Sequence, residues 1–338
     1  MFVSPGRGNH SRTMPDNEPL IWAVHDGKPG MASQALGLAE AVGKRAVEKR
    51  LAVRAPWRLL PPQFWLRPEA ALGAAGDLLR PPWPDILVGC GRNSVAPALA
   101  AKRASRGVIF WVQIQDPRFA HDQVDLLVLP AHDAGEGANV FRTLGAVHRV
   151  TAERLAAEAG RFAPVLSGLP RPLVVVLLGG SNRAYRMTQA RIAGFADQLA
   201  GLAKQGFGVA ITPSRRTDPA TIALLRTKLA GTGAYFWNGT GDNPYFALLG
   251  TADAIIVTAD SVSMVSEAAA TGKPLHIVDL DGGSPKFARF HQALREAGIA
   301  RPFAGTIESW HYAPPDDTAR AAAEIRRRWQ ARLTEAAA

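Results

Sequence analysis

One cysteine, Cys90, is all the chain offers in 338 residues. That excludes an internal disulfide and a cysteine-held metal cluster, and it suits a reducing compartment. The eight histidines show no ligand spacing, so no metal site is expected. Long apolar runs are missing too, since none approaches the ~18 residues needed to span a bilayer. Residues 1–19 lack the apolar stretch of a secretion signal and read as a loose polar tail, which points to a soluble, cytoplasmic protein. Negative charge is in short supply: 29 Asp and Glu face 39 Lys and Arg, a net +10. The imbalance favours anionic partners: nucleic acid, acidic lipid headgroups or phosphorylated small molecules. Arginine is spread along the chain, with no zinc-finger spacing or RNA-binding signature, so nucleic acid is set aside. What is present is ordinary for a globular protein, 47% hydrophobic and 20% charged, with length enough for two domains.

Apolar strand patterns alternate with helical ones. The first series has strands at Ile21–His25, Leu51–Ala55, Asp85–Gly89, Val108–Ile114 and Asp125–Leu129, with helices at Ser33–Lys44 and Ser94–Ala104. Gly160–Pro172 reads as a linker. The second series has strands at Leu173–Leu178, Phe207–Thr212, Ala234–Trp237, Ala254–Val257 and Leu275–Val278, and Asp316–Glu335 reads as a closing helix. Two such series predict an α/β fold of two Rossmann-like domains facing across a cleft.

Polar residues cluster where these strands end. His25 and Asp26 close the first strand and open HDGKPGMASQALGLAEAV, in which Gly27 and Gly30 let the backbone approach a ligand. A general base belongs at such a strand end, although a tight turn capped by Asp26 would use the same residues. LLGGSNRAYR is read as a glycine turn opening a helix, with Arg183 and Arg186 in its first turns. Arginine there opposes the helix dipole unless an anion lies between, which suggests a diphosphate cradle of Gly179, Gly180, Ser181, Asn182 and Arg183. Exposed helix arginines are the plainer alternative, and the Gly-Lys-Ser/Thr ending of a P-loop is absent. Ser214, Arg215 and Arg216 form a smaller anion-binding candidate. Asn243-Pro244 reads as a helix start. Arg92, Asp116, Arg118 and the His132-Asp133 pair lie at further strand ends. In AIIVTADSVSMVSEAAATGKPLHIVDL, Asp260, Ser261 and Ser263 sit at a strand–helix turn, and Glu267 is a lone acid in an apolar helix. It is either a solvated surface acid or a ligand for ribose hydroxyls. PWRLLPPQFWLRP, residues 56–68, mixes aromatics with arginine, as a membrane interface or interdomain packing would.

Together, DGKPGMASQALGLAEA, WVQIQDPRF, LLGGSNRAYR, TPSRRT, GDNPYFALLG and TADSVSMVSEAAATGKP resemble the plant elongated-mitochondria fission-factor family and its bacterial relatives, over nearly the whole chain. Bacterial relatives have carried a loose label of nucleoside-diphosphate-sugar epimerase, and the Ala- and Arg-rich composition suits a bacterial member. The motifs are also similar to GT-B glycosyltransferases, above all the one that adds N-acetylglucosamine to the peptidoglycan lipid precursor. That resemblance implies an acceptor domain over 20–165, a donor domain over 166–312 and a C-terminal helix, 313–338, packing back on the first. It implies that Glu267 holds the nucleotide ribose and that the segment from Lys286 to Ala300 reads the sugar. Gly27, Lys28, Gly30, Gln34, Arg92, Asp116, Arg118, Lys286, Arg289 and His291 would then lie on the acceptor and sugar side. The departures are specific. Met31 replaces a glycine-loop histidine, so His25 or Asp26 is the substitute base. Ala288 and Arg289 replace the sugar-reading amide pair. Ala259 stands where retaining enzymes carry a second glutamate, which favours inversion.

The expected function is therefore a metal-independent transferase using a nucleotide-diphosphate sugar as substrate, without a further cofactor. The acceptor is unnamed, with a lipid-linked one and an anionic membrane surface as open options. The alternatives are an adaptor recruiting a dynamin-like protein partner at a membrane, as associated with plant members, and a nucleotide-sugar epimerase or hydrolase.

Overall fold

A computed structural model describes residues 18–338; of the predicted tail, residues 1–17 lie outside the described residues. The first unit is a six-stranded parallel sheet built from β1 (Ile21–His25), β2 (Ala46–Arg50), β3 (Ile86–Cys90), β4 (Phe110–Ile114), β5 (Leu126–Pro130) and β6 (Val140–Thr143), in the order β2-β1-β3-β4-β5-β6. Helices α1 (Pro29–Val42) and α2 (Arg92–Ala104) cover it. The central strands β1, β3, β4 and β5 are buried from end to end, as apolar runs covered on both faces must be.

After helix α3 (Ala152–Leu166), the second unit begins with β7 (Leu173–Leu178) and continues through β8 (Tyr185–Arg186), α4 (Gln189–Lys204), β9 (Gly208–Pro213), α5 (Pro219–Lys228), β10 (Tyr235–Phe236), α6 (Tyr245–Thr251), β11 (Ala254–Thr258), α7 (Val262–Ala269), β12 (Leu275–Val278), β13 (Asp281–Gly282), α8 (Pro285–Glu296) and β14 (Ala300–Pro302). Its parallel sheet runs β10-β9-β7-β11-β12-β14, and β8 pairs with β13 as a two-stranded antiparallel stub. The final helix α9 (Asp317–Ala337) returns to the first unit. Its Ala321, Ala322 and Ile325 are buried in the first core, and Arg326 donates to the Ala41 carbonyl at 2.7 Å.

Strand order reverses between β1 and β3 in the first sheet and between β7 and β11 in the second. At such switch points the following helices leave on opposite faces and open a crevice at the carboxyl ends of the strands. Both crevices coincide with sequence motifs: His25–Lys28 beside Arg92 in one, Gly179–Gly180 beside Asp260 in the other.

Three expectations need correction. The second strand is Ala46–Arg50, not Leu51–Ala55. An edge strand pairs on one side only, so AVEKR can stay polar and largely exposed while Leu51 turns into the core. The predicted linker Gly160–Pro172 is helical as far as Leu166. Thr151 caps this helix by accepting the Arg154 N–H, and α3 packs on α6 and the second core. The loop after Leu178 does not open a helix. It turns into the β8 stub, and α4 starts only at Gln189, capped by Thr188.

Candidate functional site

The carboxyl ends of the two sheets face each other. Helix α1 leaves β1 and helix α7 leaves β11, and their first turns touch: Gln34 Nε2 donates to Ser263 Oγ at 3.2 Å and to the Gly30 carbonyl at 3.0 Å. A Cβ on Gly30 would lie 3.0 Å from Ser263 Oγ, so glycine permits this approach. One turn further along, Ser33 donates to Glu267 Oε1 at 2.6 Å and Tyr245 donates to Glu267 Oε2 at 2.6 Å. Glu267 is therefore neither a solvated acid nor an open ribose ligand here. Both its oxygens hold hydroxyls, and its side chain is enclosed between the units. Burial pushes its carboxyl above the usual range, against the two hydroxyl donors. Tyr245 is raised in turn by burial and by Glu267.

At the first switch point, His25 is buried. Its Nδ1 accepts the Gly27 N–H at 3.1 Å, and its Nε2 lies 3.0 Å from Glu48 Oε1 without hydrogen-bond alignment. Burial holds the ring below its ordinary imidazole value, against the pull of Glu48. With Nδ1 occupied the ring serves the turn, and Asp26, 13% exposed against 1% for His25, is the more accessible of the two candidate bases. Asp26 is the acid at the crevice: Oδ2 accepts from Lys28 Nζ at 2.5 Å and from Asn93 Nδ2 at 3.1 Å. Gly27 adopts φ +77°, with Arg50 Nε where a side chain would start, while Arg92 is exposed at the head of α2.

At the second switch point the glycine turn is built around a buried carboxylate. Asp260 accepts the Gly180 N–H at 3.0 Å, the Thr258 hydroxyl at 2.7 Å and the Arg216 guanidinium at 2.8 Å. A Cβ on Gly179 would lie 2.0 Å from Asp260 Oδ1, and one on Gly180 would lie 2.1 Å from the Arg216 carbonyl oxygen. These glycines thus admit the protein's own groups. Asp260 and Arg216 hold the turn in this arrangement, and the Arg216 side chain remains 43% exposed. Ser214 Oγ donates to the Gly179 carbonyl at 2.9 Å. Asn182 braces the β8 stub by accepting the Ala184 and Tyr185 N–H groups, and its amide donates to the Asp260 carbonyl at 3.1 Å. Ser181 Oγ accepts the Met187 N–H, and Ser261 caps α7 through the Met264 N–H. Arg183 and Arg215, flanking this framework, are exposed and have no hydrogen-bond or ion-pair partner among the described residues. Both are free cations at the second edge.

The sugar-side candidates form a second bridge. Lys286 pairs with Asp133, Arg289 donates to the His132 carbonyl at 3.1 Å, and the His132 ring meets Phe290 edge-on at 4.9 Å. His132 and His291 are both buried, each with one ring nitrogen lacking a partner. Burial lowers both to about 4, Lys286 and Arg289 adding to the effect at His132. Asp116 serves its own loop, accepting the Arg118 N–H and the His121 ring at 2.8 Å each. Burial opposes its ionisation, but those donors outweigh it and hold its carboxyl below the usual range. Gln115, Arg118 and Ala120 all adopt positive φ, so this loop carries strain of about 1–3 kcal/mol per residue.

Sequence reasoning missed Ser33 and Tyr245, the partners that decide what Glu267 can do. No local pattern marks a hydroxyl whose partner lies 234 residues away.

Two Rossmann-like units meeting at their carboxyl edges, with the last helix crossing back, define the GT-B type of fold. Known structures bear this out. A UDP-GlcNAc 2-epimerase from Methanocaldococcus jannaschii superposes with a TM-score of 0.52 at 11% identity, covering 90% of this chain and 98% of that one. The spinosyn forosaminyltransferase SpnP gives a TM-score of 0.50 at 14% identity, covering 92% and 95%. The family is narrower than the fold. The model of the Mitochondrial fission ELM1 family matches residues 29–329, and the chain belongs to that family. The protein named mitochondrial fission protein ELM1 from Arabidopsis thaliana is 35% identical over 277 residues, 74% of this chain. The match spans 65% of the plant protein, just under two thirds of its length.

Proposed function

We propose that the chain binds a nucleotide-diphosphate sugar between the carboxyl edges of its two sheets and transfers the sugar to an acceptor hydroxyl. The observation that carries this reading is the meeting of both switch points through the first turns of α1 and α7. Ligands of open parallel sheets bind at such points, and one of the fold neighbours named above is by its title a UDP-GlcNAc 2-epimerase. Binding requires a more open arrangement, in which Glu267 exchanges the Ser33 hydroxyl for those of a ribose. Arg183, Arg215 and the α7 N-terminus would neutralise the departing diphosphate, the main electrostatic contribution to such a step. The acceptor oxygen attacks the anomeric carbon, the bond to the diphosphate breaks, and Asp26 receives the acceptor proton. Ala259, standing where retaining enzymes carry a second glutamate, suits inversion. Lys286 and Arg289, released from the first unit, would face the sugar beside His291. A lipid-linked acceptor would meet the first unit at the Asp26 edge.

A second reading draws on the same packing. Asp260, Glu267 and Lys286 all have partners within the chain. A non-catalytic adaptor recruiting a dynamin-like protein needs no open cleft, and the plant relative is by name a mitochondrial fission protein. Calorimetric titration with UDP-, GDP- and ADP-sugars separates the two. Transfer predicts saturable heat with at least one of them, and Glu267→Ala should weaken it about tenfold or more while the thermal melt reports folding. No heat with any nucleotide sugar, together with capture of a GTPase partner, selects the adaptor.

A further inference from the structure

We propose that residues 54–80 of the first unit are a docking surface for the anionic face of a phospholipid bilayer. The segment carries the largest cluster of exposed apolar side chains among the described residues: Leu66 is 96% exposed, Leu59 78%, Phe64 63% and Leu60 41%. Grouped exposure of this kind marks an interaction surface, whereas single exposed leucines do not. The side chains stand on a fixed base. Three short turns, Trp57–Leu59, Pro62–Phe64 and Pro68–Ala71, are pinned by Trp65, which is buried with Ala71 and Ala96 of α2 and donates from Nε1 to the Leu60 carbonyl at 3.2 Å. Leu66 follows this anchor in the chain and is almost fully exposed.

Charge selects the occupant. Arg58, Arg67 and Arg80 are exposed and have no partner among the described residues, and Arg54 lies over the Trp57 ring at 5.1 Å. The segment's acids are Glu69 and Asp77, and Asp77 already accepts the Arg50 N–H at 2.7 Å. Leucine and phenylalanine ringed by arginine match a surface that is apolar beneath and anionic above, each arginine adding attraction to acidic headgroups. A second copy would present the same positive rim and be repelled. No helix among the described residues is long and apolar enough to cross a membrane, so this contact is peripheral. The segment leaves the sheet at the carboxyl end of β2, where Leu51 N–H donates to the His25 carbonyl at 2.8 Å. A docked bilayer would therefore lie at the same edge as Asp26. The surface itself does not depend on nucleotide binding.

Co-sedimentation of the full chain with vesicles tests it. The chain should pellet with phosphatidylcholine vesicles containing phosphatidylglycerol, fail to pellet with phosphatidylcholine alone, and be released by salt. Leu59→Asp with Leu66→Asp should lower the bound fraction at least about tenfold, and Arg58→Glu with Arg67→Glu by a similar factor. The milder Leu66→Gln should give a smaller loss, and all variants should keep the parental melt and any nucleotide-sugar binding. Failure of the parent to pellet, equal pelleting of the variants, or self-association without vesicles that Leu66→Asp abolishes would each overturn the proposal.

Discussion

The glycine turns after β1 and β7 look alike in sequence and are built differently. After β1, Gly27 takes a left-handed φ, the space beside it is filled by the flexible end of Arg50, and α1 starts within two residues. After β7, Gly179 and Gly180 are pressed against a buried carboxylate and a backbone carbonyl, and the chain runs into a strand stub before any helix. The first turn directs a helix start at the cleft. The second is a self-contained brace whose donors are already used. A glycine after a strand shows that something comes close; only its neighbours say whether that is ligand or protein.

The comparison can be broken by mutation. The largest effect should come from Asp260→Ala, which strips the Gly180 N–H and the Arg216 guanidinium of their acceptor. A loss of about 3 kcal/mol is expected in denaturant unfolding, because the buried Gly180 N–H and Thr258 hydroxyl both lose their acceptor. Gly180→Ala should follow at about 2 kcal/mol or more, because the Arg216 backbone must move. Gly27→Ala should cost about 1 kcal/mol, since its strain is conformational and the Arg50 side chain can shift. Equal costs at the two glycines would contradict the distinction.

Titration sharpens the comparison further, because the groups between the edges pull in opposite directions. His132 and His291 titrate near 4 in the fold against 6.5 in the unfolded chain. The stability they contribute is present above 6.5 and lost as pH falls through about 4. Glu267 is raised above its ordinary 4.5, so its contribution is present below that value and lost as pH rises through the raised one. In unfolding curves, His132→Asn with His291→Asn should flatten the decline on the acid side. Glu267→Gln should lessen whatever loss appears on the other side. Unchanged profiles would mean that these groups do not sense folding.

Much of the fold was legible because its central strands are apolar runs buried on both faces. The parts that were not legible have physical reasons. AVEKR is an edge strand and needs no apolar pattern, and Gly160 and Pro164 hide a helix that Thr151 caps and α6 packs. The site divided similarly. Strand-end residues such as Asp26, Arg183 and Arg215 were marked by position. The enclosure of Glu267 by Ser33 and Tyr245 depends on how two distant helices meet. The partners that make Asp260 hold a turn are likewise up to 80 residues away in sequence, beyond any local pattern.

The most direct test locks the two helix starts together. A Cβ on Gly30 would lie 3.6 Å from the Ser263 Cβ, within the span of a disulfide, and the native Cys90 is buried. Gly30→Cys combined with Ser263→Cys should lose nucleotide-sugar binding when oxidised and regain it on reduction, read by calorimetry on the same sample. Equal binding in the oxidised and reduced forms would put the ligand elsewhere and contradict the account.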